Sequence, residues 1–206
     1  MEMTITRALA EIKSLDARIN NATSQLEFIK VRKQSQQLVN GVQIKDLEEL
    51  FKSNFQSATD LIKRRHLIKS AVVKSNADTV VEIGEVKMTV AEAIDLKNTI
   101  GLESQLLSQL KSQYAKALQS IEVTNRAVDQ QAEQEANNNF GSKQKSDPTE
   151  YQKFVQDYKD RNTVVLVDSI DIKSQIEKLQ NYIETFETEV DFTLSESNAL
   201  TKIEIA

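Results

Sequence analysis

The sequence has no cysteine and no tryptophan, one histidine, one proline and four glycines among its 206 residues. Each shortage removes a class of chemistry. Without cysteine there is no disulfide, thiolate zinc site, iron–sulfur centre or thiol nucleophile. A single histidine makes no His-cluster metal site, and it leaves no pair of Glu-x-x-His motifs from which a di-metal carboxylate bundle is built. Four scattered glycines provide no phosphate-cradling loop. Aromatic residues are only 5% of the chain, so the core must be mainly aliphatic. No apolar run approaches the roughly 20 residues that cross a bilayer. Residues 1–10 hold no apolar signal-peptide core. The expectation is a cytoplasmic protein with no membrane partner.

Charge and periodicity are what the chain has instead. Twenty-six basic residues against 31 acidic ones give a net charge of −5. That balance speaks against nucleic acid as a partner, because counterion release needs clustered positive charge. Ile5, Ala8, Ile12, Leu15, Ile19, Ala22, Leu26 and Ile29 recur at spacings of three and four, which predicts a heptad helix over about 5–32. Thr4 or Thr6 can cap its start. Leu47, Phe51, Phe55, Ala58, Leu61, Ile62, Ile68 and Val72 predict a second helix over about 45–74, antiparallel to the first. Between them, Asn40-Gly41 predicts either a hairpin of two short strands or an ordered loop.

Residues 79–88 read as a β-hairpin turning at Gly84. Thr89 and Glu92 then form a capping box. It opens a third helix, through about Asp129, with Ala93, Leu96, Ile100, Leu107, Leu110, Tyr114, Ala117, Ile121 and Val128 on its seam. Gly101 lies within it and is read as the mark of a close helix crossing. Residues 130–145 are polar and of low complexity, either a fraying helix end or a mobile loop. Asp147, Pro148 and Glu150 restart a short helix to about Asp160. Its Tyr151 and Tyr158 share a face expected to dock on the bundle, while Tyr114 and Tyr182 are expected to be buried. Residues 163–167 read as a strand, and Ser169 or Asp171 caps a last helix carrying Ile172, Ile176, Leu179, Ile183, Phe186 and Val190.

Residues 75–83 and 197–205 share the pattern S-N-A-x-T-x-(V/I)-E-I. The echo predicts one helix-to-strand exit used twice, with the C-terminal strand joining the 79–88 hairpin. The resulting fold class is mainly α: long antiparallel helical hairpins or a bundle, with a small β-hairpin and a C-terminal strand forming a minor sheet. It is read as one domain over 1–206. That domain divides into a helical hairpin (1–76), a β-hairpin (77–89) and a second helical half (90–206) with a flexible stretch at 130–147.

The best basic cluster is Lys63, Arg64, Arg65 and His66, with Lys69 one turn on. Arg65 and Lys69 share a helix face, as do His66 and Lys69. Arg64, Arg65, His66 and Lys69 are therefore the candidate ligand-binding residues, for a small anion held by an Arg fork and a Lys. The plainer reading is salt bridges to the stretch from Glu11 to Asp16, which an antiparallel hairpin brings opposite. No nucleophile–base pair or metal set can be assembled, so no cofactor and no enzyme activity are expected.

Several motifs resemble the septicolysin-like family of bacterial and phage proteins. They are R-A-L-x-E-I-x-x-L-D-x-R-I at 7–19, a helix ending in Asn76-Ala77-x-Thr79, the Gly84 hairpin, T-V-x-E-A at 89–93, and the run Asp191, Leu194, Asn198. Members commonly carry Asn-Trp near the C-terminus, where this chain has Asn198-Ala199. The resemblance implies an all-helical, oligomeric protein of unassigned function and supplies no site residues.

Second apolar positions widen the seams: Leu9, Phe28, Leu50, Leu67, Leu106 and Leu118. That is more apolar stripe than one slender bundle covers, so a homo-oligomer acting through binding is expected. The alternative is a phage-type sponge that sequesters a nucleotide-derived signalling molecule at a subunit interface.

Overall fold

A computed structural model describes residues 1–141 and 148–205. In chain order it begins with β1 (Glu2–Thr4), α1 (Ile5–Gln25), β2 (Leu38–Val39), β3 (Val42–Gln43), α2 (Ile44–Asp78), β4 (Val80–Ile83) and β5 (Val86–Thr89). It continues with α3 (Val90–Thr99), α4 (Gly101–Phe140), α5 (Pro148–Asn162), α6 (Ile172–Leu200) and β6 (Lys202–Glu204). The fold is mainly α, as the periodicity requires. Its described strands form three antiparallel pairs, β1–β6, β2–β3 and β4–β5. The chain divides into two compact units, one of Met1–Asn98 with Thr185–Ala206 and one of Thr99–Glu184.

In the first unit α1 and α2 lie antiparallel. Met3, Ile5, Ala8, Ile12 and Leu15 bury against Ile68 and Val72, with Ile203 and Ile205 closing the end. Ile68 is wholly shielded from solvent. Burial of that one side chain contributes about 1.5–3 kcal/mol. The α1 seam stops short of the expected 32. Asn20, Asn21, Thr23 and Ser24 are weak helix formers, and Thr23 and Ser24 hydroxyls donate to the carbonyls of Ile19 (2.9 Å) and Asn20 (2.7 Å). Such back-bonding competes with the helix ladder. Leu26 turns extended while still donating its N–H to Ala22, so Leu26 and Ile29 leave the stripe. Asn40 and Gly41, both at positive φ, make the turn between β2 and β3, which is what a two-residue hairpin of the primed type needs.

The C-terminal strand does not join the 79–88 hairpin. β6 pairs with β1, Met3 opposite Ile203, and the β4–β5 hairpin stands as a separate pair. The reason lies in a second repeat. Residues 3–9 and 88–94 both read M-T-(I/V)-x-x-A-(L/I). The chain thus builds one corner twice. In the continuous copy Thr79 N–H donates to Ser75 O (2.9 Å) and Thr79 O accepts from Val90 N–H (2.9 Å). In the other, Thr201 N–H donates to Ser197 O (2.8 Å) and Thr201 O accepts from Ile5 N–H (3.0 Å). Ile5 and Val90 are each 2% exposed, and Ala8 and Ala93 are each fully buried. The N-terminal strand was invisible to periodicity because three residues are too few to show one.

The Thr89–Glu92 capping box forms as expected. Thr89 N–H donates to Glu92 Oε2 (2.7 Å) and Glu92 N–H to Thr89 Oγ1 (3.1 Å). The third helix does not run unbroken; it divides at Ile100 into α3 and α4. Gly101 meets nothing within 4 Å where a Cβ would stand, so it marks this break rather than a close crossing.

In the second unit α4 continues through 130–140, which corrects the flexible stretch there. Ala132 and Ala136 are buried, and the Phe140 ring packs edge-on to Tyr151 and Phe154 of α5. Residues 142–147, including Asp147 as the expected cap, lie outside the described residues. Tyr151 OH donates to Asn137 (3.2 Å) and Lys159 pairs with Asp129 (2.8 Å), so the tyrosine face of α5 does dock on α4. Residues 163–167 form no ladder, contrary to the strand reading, because no second strand lies beside them among the described residues. The cap of α6 is also different. Asp168, not Ser169 or Asp171, accepts from Ile172 N–H (2.9 Å), and Asp171 sits at φ 53.

Candidate functional site

The basic cluster sits on α2 and is largely consumed by the fold. Arg64 Nε donates to Glu11 at 2.9 Å, and Arg65 pairs with Asp16. Four consecutive residues fan around a helix, so the two guanidiniums reach different carboxylates of α1 rather than one shared ligand. Both pairs are partly exposed, which limits each to about 1 kcal/mol. They set the register of the hairpin. His66 and Lys69 are exposed. The structure thus separates the four candidates into two hairpin clasps and two surface groups, and brings no set of cations together around one cavity. Among the described residues no group of three or more His, Asp or Glu side chains could hold a metal ion. No described helix is long and apolar enough to cross a membrane.

A different feature of the second unit is better built for binding. Leu106 and Leu110 of α4 and Leu179 and Tyr182 of α6, with Ile170, Gln175 and Lys178, line an open groove of about 710 Å³. Its walls are mainly apolar. Tyr182 is not buried as its seam position implied; it is 36% exposed. Its hydroxyl is nevertheless pushed above the ordinary tyrosine range, first by partial burial and then by the negative charge of Glu103. Glu103 Oε2 is shielded from water and accepts no hydrogen bond among the described residues.

The groove belongs to a longer unfinished surface. On α4 the seam residues Leu107, Leu110, Tyr114, Ala117 and Ile121 are all only half-buried, although their spacing is as regular as that of α1. The widening positions behave alike. Leu9, Phe28, Leu50, Leu67, Leu106 and Leu118 are each between 38% and 53% exposed. Sequence periodicity located these stripes but gave no sign of which would be covered within the chain. The groove was missed because Ile170 falls outside any helix period.

A second opening of the second unit, about 310 Å³, lies between α4 and 166–172. Next to it Asn125 of α4 grips the chain at Val164. Its amide donates to Val164 O (3.0 Å), and its carbonyl accepts Val164 N–H (2.9 Å). No family model, curated protein or solved structure matches the chain.

Proposed function

We propose that the chain is a non-catalytic helical protein that self-assembles and acts through binding. One observation carries the reading: the α4 stripe keeps heptad spacing for four turns yet stays half-exposed, and it borders an apolar groove. A seam of 3.5-residue period fits another seam of the same period best. The occupant that matches is therefore a second copy of this chain, presenting its own stripe. The septicolysin-like motifs support the same reading, since that resemblance implies an oligomer. A cysteine-free composition supports a cytoplasmic setting, and the net charge of −5 supports the absence of a nucleic-acid partner.

Sequestration of a nucleotide-derived signal at Arg64, Arg65, His66 and Lys69 draws less support. Two of the four are already neutralised by Glu11 and Asp16. Sedimentation velocity across the micromolar range tests the main reading. The parent chain is expected to sediment as an oligomer, and Leu106→Asp with Leu110→Asp as a smaller species with unchanged helix content. A parent chain that stays monomeric throughout overturns it.

A further inference from the structure

We infer that residues 163–168 form an edge strand that pairs antiparallel with the same segment of a second copy, across a twofold axis at Val165. The inference rests on the self-assembly reading and names the contact. The exposures of Val164, Val165, Leu166 and Val167 are 38%, 77%, 36% and 97%. That alternation has the period of two that a strand carries. One edge of the segment is already occupied, because the Asn125 amide satisfies both backbone groups of Val164, as a neighbouring strand would. In strand geometry the backbone groups of 165 and 167 then face the other edge. Among the described residues no hydrogen bond reaches Val165, Leu166 or Val167.

Edges of this kind are usually guarded by a proline, a lysine, a bulge or a covering element. Thr163-Val164-Val165-Leu166-Val167 has none of these guards and is rich in β-branched residues, which favour strands. Both ends are anchored. Thr163 N–H donates to Lys159 O at the end of α5, and Asp168 holds the first turn of α6. The segment is therefore held ready, and little ordering remains to oppose docking.

Charge selects the same segment as partner. The N-terminal flank, the end of α5, carries Lys159, Asp160 and Arg161, a net positive stretch, and the C-terminal flank carries Asp168 and Asp171. Antiparallel pairing about Val165 sets Val165 opposite the partner's Val165 and Thr163 opposite the partner's Val167. It also sets the end of α5, with its net positive charge, on the side of the partner's Asp168. A parallel arrangement would stack like charges instead.

Hydrogen exchange read by mass spectrometry, together with sedimentation velocity, tests this on the full chain. The peptide covering 163–168 is expected to gain protection as protein concentration rises. Val165→Pro removes the donor at the axis, and the residue before a proline favours the extended backbone Val164 needs. Val167→Lys installs a guard on a side chain already exposed, so the subunit fold is untouched. Each variant is expected to weaken association by about tenfold or more, the equivalent of roughly one hydrogen-bonded pair. Assembly without protection at 163–168, or with both variants unchanged, overturns the strand pairing and leaves self-assembly standing. Protection independent of concentration also overturns it. A chain that is monomeric at every concentration removes both.

Discussion

The two units use the same kind of helix to different ends. In the first, the α1 stripe is met inside the chain by Ile68, Val72 and the strand residues Ile203 and Ile205. In the second, α4 carries an equally regular stripe, and the described buried residues are only Ile100, Val128, Ala132, Ala136 and Ile183. Heptad spacing therefore specifies that a helix will be covered without specifying by what. The cover for α1 arrives from segments 60 and 190 residues away in sequence, and Arg64–Glu11 and Arg65–Asp16 clasp it in register. Beside α4 the chain places the bare segment 163–168 and leaves a groove.

Matched truncations sharpen this contrast most. Ile68→Ala is expected to cost about 2–5 kcal/mol in urea denaturation, because it opens a cavity in a closed core. Leu110→Ala, from a half-buried position, is expected to cost under about 1 kcal/mol in dilute protein. Equal losses would break the contrast. A smaller effect probes the continuous corner. Gly84 has φ +60, and a Cβ there would stand 2.9 Å from Thr185 Cγ2. Gly84→Ala is expected to lower stability by about 1–2 kcal/mol from the left-handed backbone alone, with a lower thermal midpoint. Finest is the cap of α3. Hydrogen bonds from Thr89 backbone and side chain hold the Glu92 carboxyl below its ordinary range. Its contribution is present above the ordinary carboxylate pKa and fades as pH falls through the lowered one. Glu92→Gln is expected to lower the melting temperature slightly near neutral pH, where the ionised carboxyl contributes, and to converge on the parent at low pH, which flattens that acid limb.

Much of the architecture was legible in the chain. The seams of α1 as far as Ala22, of α2 apart from Phe55, which is 64% exposed, and of α6, the Asn40-Gly41 and Gly84 turns, the Thr89–Glu92 box and the α1–α2 ion pairs all follow from local spacing or from antiparallel geometry. What was illegible depends on partners in space. Whether 163–167 becomes a strand depends on a neighbour, and the chain supplies a single asparagine side chain instead. The partner of β6 was misread because β1 is three residues long and its match, Met3-Thr4-Ile5 with Met88-Thr89-Val90, is short. At the basic cluster the sequence permitted both a ligand and a salt-bridge reading. Which carboxylates stand opposite is a tertiary fact, and Glu11 and Asp16 do.

The twin corners separate instruction from linkage. One is joined by a two-residue turn, and the other brings together strands some 200 residues apart. Both close with the same threonine carbonyl and the same buried pair of a β-branched residue and an alanine. By loop-closure scaling, each doubling of the tether costs such an encounter only about 0.6 kcal/mol. The corner behaves as a plug and socket, so severing the Gly84–Glu85 peptide by a protease should leave the joint assembled.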